Sequence, residues 1–350
     1  MINFEGLKRV CEEIHAVMAE AVFGKDGVDA IFEIMEFVRE LYRHVEPLRI
    51  KSSVIVFRQV LSSAGTGVTA GGQLCDNLGL LCQQAEKGIV LEIRSDGRQY
   101  IHTISSVNPK KLASTAVVYE YQNGKEHFFA GVQQKAVPVL DRTAMSQFCG
   151  NTFFTLREAL QYYAAAFVLQ SSCLIFKSVW ADENRLFLRS KPEVYMRRSL
   201  TQFLRSNLGA GFEVRPEQIM DETHPVDIKV TKKLSNRLMI IEIKWLGDSL
   251  NEEGKITTSY RDARAKKGAK QLAEYLDQNK VQAPLNVTQG YYVIIDARRH
   301  SLRDDSRAIT KAYGLYYASK EIDFDTEYHK IRDDFDPPYR MFTEPKYIDN

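Results

Sequence analysis

Asp227, Glu242 and Lys244 are the residues of this chain whose types and spacing suit a chemical task. Two carboxylates and an ammonium brought to one point suit a hard divalent cation. Mg²⁺ takes oxygen ligands, commonly one or two carboxylates, with waters and substrate phosphate filling the rest of its shell. A lysine beside such a cation orients a water and offsets charge developing on phosphate.

The elements that must bring them together are legible as a β-hairpin. Val226, Ile228 and Val230 alternate with Asp227 and Lys229, the two-residue period of a half-buried strand. Lys232 to Asn236 is a polar turn, and Leu238 to Trp245 is an apolar run rich in branched residues, long enough for a buried strand. Glu242 and Lys244 interrupt that run. Residues two apart on a strand share a face at about 7 Å, so both point the same way, and Asp227 on the neighbouring strand can meet them. Burying lone charges costs several kcal/mol, so charges in such a strand need partners. After the hairpin, Gly247 to Gly254 reads as a polar, acidic loop, Tyr260–Asn279 as a helix and Tyr291–Asp296 as another apolar strand.

The pattern Asp227…Glu242-Ile243-Lys244 resembles the PD-(D/E)xK nuclease superfamily, with Pro225 two residues ahead of Asp227 instead of adjacent to it. The resemblance covers roughly residues 185–300. It implies an α/β fold, a restriction-endonuclease-like mixed sheet flanked by helices, and metal-dependent hydrolysis of phosphodiester bonds, most often in DNA. By this resemblance Asp227 and Glu242 hold Mg²⁺ or Mn²⁺ and Lys244 positions the attacking water. Members often carry a glutamate on the helix before the hairpin, for which Glu193 is the candidate, and a Q-x-x-x-Y on the helix after it, matched by Gln271 and Tyr275. Glu193 has a second reading, since Ser190 and Glu193 form a capping box for a helix running to about Leu208. By type, the expected role is an endodeoxyribonuclease of bacterial restriction or anti-phage defence. The other readings are a catalytically silent nucleic-acid-binding or assembly protein on the same fold, and a dinucleotide enzyme centred on Gly65-x-Gly67-x-x-Ala70.

Basic residues gather just ahead of Gln271: Arg261, Arg264, Lys266, Lys267 and Lys270. Phosphate contacts position a nucleic acid without reading its sequence, and positive charge in a first helical turn opposes the helix dipole, so these residues are expected to bind nucleic acid. The net charge of +2 conceals a pattern: residues 101–300 hold 28 Lys and Arg against 20 Asp and Glu, a basic middle between acidic ends.

The length of 350 residues suggests two domains. Residues 1–180 are expected to form an α+β domain of regulatory, sensing or assembly role, through which a partner protein or a second copy binds; residues 181–350 form the nuclease-like domain. In the first part, 4–22 and 28–46 read as amphipathic helices separated by Gly24 and Gly27, Asn123-Gly124 as a hairpin turn, and Thr152–Trp180 as one long apolar helix. The C-terminal region reads as an irregular cap. Five scattered cysteines, no apolar core of a signal peptide and no uncharged run of about 18 residues point to a cytoplasmic protein that does not span a membrane.

Overall fold

The computed structural model describes residues 4–61, 72–84, 87–102, 107–138, 146–149, 152–219 and 225–348. The Gly65–Ala70 loop lies outside them. The chain forms two compact units, Met1–Asn151 with Leu234–Asn236, and Thr152–Lys233 with Arg237–Asn350. Each contains a mixed β-sheet with helices, so the class is α/β.

In the first unit α1 (Phe4–His44) is two helices joined at Gly24, whose φ of 63° breaks the helical run where the sequence places a separator. The strands are β1 (Ser53–Gln59), β2 (Gln73–Leu74), β3 (Ile89–Ile93), β4 (Gln99–Ile101), β5 (Ala116–Gln122), β6 (Lys125–Ala130) and β7 (Gln133–Ala136), with a short α2 (Pro109–Leu112) before β5. They lie in the order β2-β4-β3-β1-β5-β6-β7; β1 and β3 run parallel and the other pairs antiparallel. Ile31, Ile34, Met35, Val38 and Leu41 of α1 pack with Val54, Val56, Tyr119 and Phe128 of the sheet. Asn123 and Gly124, with φ of 52° and 73°, close the β5–β6 hairpin.

The second unit begins earlier than the sequence suggests. α3 (Thr152–Tyr163) groups with it, not with the first 151 residues. Hydrogen bonds from Tyr163 Oη to Ser199 Oγ (2.8 Å) and from Tyr291 Oη to the Phe153 carbonyl (2.8 Å) tie it there. Nor is the expected single helix to Trp180 formed. α3 widens into a π-turn at Ala164–Val168, and α4 (Leu174–Lys177) is a separate turn.

The rest of this unit runs α5 (Glu193–Asn207), β8 (Phe212–Ile219), β9 (Pro225–Lys232), β10 (Arg237–Leu250), β11 (Ile256–Tyr260), α6 (Asp262–Gln282), β12 (Val287–Asp296), α7 (Lys311–Gly314), α8 (Tyr328–Ile331) and β13 (Tyr339–Phe342). The sheet order is β13-β12-β10-β9-β8, with β11 also on β10. β8, β9 and β10 form an antiparallel meander; α6 then crosses over so that β12 lies parallel to β10. Two expectations need correction here. Gly247 to Gly254 is not all loop, because β10 continues to Leu250 and pairs with β11. Gly247 marks where β10 leaves β12 and takes up β11; its φ of 139° and an Ala297 carbonyl 3.0 Å from any added Cβ both require glycine. The C-terminal region is not only a cap: β13 extends the sheet as the parallel neighbour of β12. Among the described residues no helix is long and apolar enough to cross a membrane.

Candidate active site

Register decides which side chains of β10 share a face. Leu238, Ile240 and Leu246 join the core formed with Ala265, Ala269, Leu272 and Leu276 of α6. Glu242 and Lys244 fall in the same alternating set and so lie under that helix. Both are almost fully buried, at 1% and 4% exposure, and Asp227 is 6% exposed. β12 places Tyr292 directly beside Glu242. On the other side the β9–β10 ladder ends at Ile228–Ile241, and the Asp227 carboxylate continues it: Oδ2 accepts the Ile243 N–H at 2.8 Å.

The remaining contacts tie these residues into one cluster. Lys244 Nζ donates to Glu242 Oε1. Asp227 Oδ1 accepts from an Arg197 Nη of α5 at 3.1 Å. Glu193 opens α5, one carboxylate oxygen 3.9 Å from Lys244 Nζ and the other 3.7 Å from an Arg264 Nη of α6. The capping box foreseen for Glu193 is not made: Pro192 stands at the cap without a side-chain bond, and the Glu193 carboxylate faces Lys244 and Arg264. Glu242 Oε2 is buried and has no hydrogen-bond partner among the described residues.

Three carboxylates, Asp227, Glu193 and Glu242, share the cluster with three cations, Lys244, Arg197 and Arg264. Burial pushes the Glu242 carboxyl up to about 8, and the neighbouring Asp227 charge adds to this while Lys244 opposes it. Glu193 is raised for the same reasons in the same order, burial and then Asp227, against Lys244, Arg264 and Arg197. Burial and the Glu242 charge also raise Tyr292, whose hydroxyl donates to the Ala265 carbonyl at 2.8 Å. A carboxyl group raised by burial and like charge is ionised again when a cation arrives.

This donor set fits a hard divalent cation. The oxygens are carboxylate, one of them has no donor, and the carboxyl groups repel one another. Among the described residues no three His, Cys, Asp or Glu side chains form a ready cage. Asp227 and Glu242 lie on neighbouring strands, and Glu193 stands against Lys244 and Arg264. Two carboxylates with the remaining positions left to water and phosphate is the usual arrangement for Mg²⁺.

Gln271 and Tyr275 meet each other, the amide donating to the phenol oxygen at 2.5 Å. Tyr275 is buried in the core beneath α6. Arg264, Gly268, Gln271 and Tyr275 follow a spacing of four, three and four, which lines them along one stripe of α6. The basic residues divide. Arg264 reaches Glu193 and stacks over Tyr260 at 4.7 Å, so it belongs to the cluster. Arg261 is bound by both oxygens of Asp248, at 2.8 and 3.0 Å, while Lys266 pairs with Asp325 at 2.5 Å and Lys270 with Glu274 at 3.7 Å. Lys267 is exposed and lies four residues before Gln271, flanking the stripe.

Sequence reasoning missed three contributors: Arg197, Tyr292 and Gly268. Arg197 lies one helical turn after Glu193, a spacing that was readable. Tyr292 becomes visible only through the parallel register with Glu242. Gly268 permits close approach: an added Cβ would stand 2.6 Å from Lys244 Cγ and 2.4 Å from Tyr292 Oη. The chain matches no protein-family model and no curated protein.

Proposed function

We propose that this chain is a metal-dependent nuclease of the PD-(D/E)xK superfamily, with its site at Glu193, Asp227, Glu242 and Lys244. The observation that carries this reading is the buried Glu242 oxygen without a donor, in a carboxyl group pushed up by burial and then by the Asp227 charge, beside a buried lysine. Buried charges not needed for activity are better replaced by apolar residues. The order helix, three antiparallel strands, crossover helix and parallel strand supports assignment to the restriction-endonuclease-like fold.

Asp227 and Glu242 would hold Mg²⁺ or Mn²⁺, which when bound supplies Lewis-acid polarisation of a phosphoryl oxygen and a more acidic water. Lys244 orients the attacking water and offsets charge developing on the phosphate. Its stem is clamped beneath Gly268 and beside Tyr292, so the ammonium is held in place before substrate arrives. Arg264 and Arg197 lie within reach of the carboxylates and supply positive charge toward a substrate phosphate. Gln271 stiffens this stripe of α6 through Tyr275. Lys267 contacts the nucleic-acid backbone beyond it. The substrate proposed is DNA, cut internally, in the setting of restriction or anti-phage defence. The first unit is the proposed contact for a partner protein or a second copy.

Supercoiled plasmid, linear DNA and RNA incubated with Mg²⁺, Mn²⁺ or EDTA test this directly. Nicking or linearisation of plasmid that EDTA abolishes is the expected result. No cleavage of any of the three with either metal would remove the nuclease reading and favour a silent nucleic-acid-binding module.

A further inference from the structure

We propose that a second site, built from Lys177, Arg185, Arg189 and Lys346, binds a small polyphosphorylated molecule. These residues line a cavity of about 640 Å³ in the second unit, and none of its lining residues belongs to the carboxylate cluster. That volume lies within the usual range of small-molecule sites, about 300–1,000 Å³.

The charge balance of the wall points to an anion. Four cations face two acids, Asp182 and Glu183. Asp182 is already engaged, its carboxylate accepting the N–H groups of Asn184 (2.9 Å), Leu186 (3.1 Å) and Phe187 (2.8 Å). Glu183 is exposed. Among the described residues none of the four cations makes an ion pair. Such cations on most protein surfaces are dispersed and separately solvated; here they border one concavity.

Arg185 is the strongest indication. Its backbone is in the left-handed region, with φ of 60°, a conformation kept by a non-glycine residue only where the surroundings enforce it. One Nη donates to the Gln170 carbonyl at 2.5 Å, and the buried Nε has no partner. Arg299, fully buried behind it, donates to the Arg185 carbonyl at 3.2 Å. The two guanidinium charges repel, and Glu344 offsets this in part. Arg189 is held in the wall by its Nε bond to the Trp180 carbonyl at 2.8 Å. Two positioned arginines with two free lysines match the fork-and-point-charge recognition of linked phosphates.

Calorimetry on the full chain in EDTA tests the proposal, with tripolyphosphate, inorganic phosphate, ATP and a short DNA oligonucleotide as titrants. The comparison is Lys177→Ala with Lys346→Ala, two exposed positions whose replacement should leave the melting temperature unchanged. Tripolyphosphate should bind saturably at one site and bind about tenfold or more weakly in the variant. Inorganic phosphate should bind more weakly than tripolyphosphate. ATP tighter than tripolyphosphate identifies a nucleotide site, and equal affinity identifies a site for the phosphates alone. Absence of saturable binding, equal affinity in the variant, or loss of oligonucleotide binding in the variant with tripolyphosphate binding intact would each overturn it. Plasmid cleavage is read in parallel, so failure here is separable from failure of the nuclease reading.

Discussion

Gly268 of α6 lies so close over Lys244 of β10 that a Cβ at position 268 would stand 2.6 Å from Lys244 Cγ. In an ordinary helix interior, glycine to alanine is stabilising by roughly 0.5–1 kcal/mol. Here the added methyl group must displace either the lysine stem or the Tyr292 hydroxyl. Gly268→Ala is expected to destabilise the fold by about 1–3 kcal/mol, as overpacking does, and to lower cleavage in excess of any loss of folded protein. Thermal melts beside plasmid cleavage per folded molecule would show it. A variant more stable than wild type and equally active would mean that the helix does not press on the lysine.

Asp227 and Lys244 should separate metal binding from chemistry. Asp227→Asn removes a ligand charge, so Mn²⁺ binding and cleavage should fall together. Lys244→Ala leaves both carboxylates and removes the cation that competes with the metal. Mn²⁺ binding should persist or tighten while cleavage falls by a factor of about 10² or more. Calorimetry with Mn²⁺ and a plasmid assay measure the two effects. Wild-type cleavage by Lys244→Ala would reduce the cluster to a structural ion pair.

Glu242 links stability to pH. Its carboxyl is raised from an ordinary 4.5 to about 8, so the metal-free fold binds this proton more tightly than the unfolded chain does. The resulting stabilisation is whole below about 4.5 and is lost as pH rises through about 8. In EDTA, the melting temperature of wild type should fall between pH 5 and pH 9 by more than that of Glu242→Gln, and Mn²⁺ should restore the loss at the alkaline end. Parallel pH profiles for the two proteins would contradict the assignment.

Lys267 and Lys266 are neighbours with different surroundings. Lys266 is paired with Asp325, whereas Lys267 is exposed beside the site stripe. Lys267→Ala should weaken DNA binding at every sequence and reduce the salt slope by about one unit per lost phosphate contact. Lys266→Ala should change the slope less. Binding measured across a series of salt concentrations decides this, and equal effects would mean that the Asp325 pair opens on binding.

The boundary near residue 151 can be tested by truncation. The fragment 152–350 retains α3, which Tyr163 bonds to Ser199 and Tyr291 bonds at the Phe153 carbonyl. It should be soluble and unfold cooperatively, whereas 181–350, which lacks α3, should not. Circular dichroism melts of the two fragments test the difference.

The sequence by itself determined the parts that local periodicity carries. Alternation at Val226–Val230, the apolar run around Glu242-Ile243-Lys244 and the helical pattern through Gln271 and Tyr275 located the hairpin and the crossover helix, because two-residue and 3.6-residue periods report which face is buried. The separator at Gly24 and the Asn123-Gly124 turn were legible because few residues tolerate their backbone angles. Tertiary structure decided the rest. Glu193 could be a cap or a site residue on sequence grounds, and only the approach of α5 to Lys244 and Arg264 turned its carboxylate toward the cluster. The five basic residues ahead of Gln271 look equivalent in sequence, yet Asp248, Glu193, Asp325 and Glu274 sort four of them into pairs. Tyr292 reached Glu242 through a register that no local pattern encodes, and Gly268 mattered through a neighbour 24 residues earlier in the chain. Such contacts join elements distant in sequence, and their register is set by the whole sheet packing under one helix.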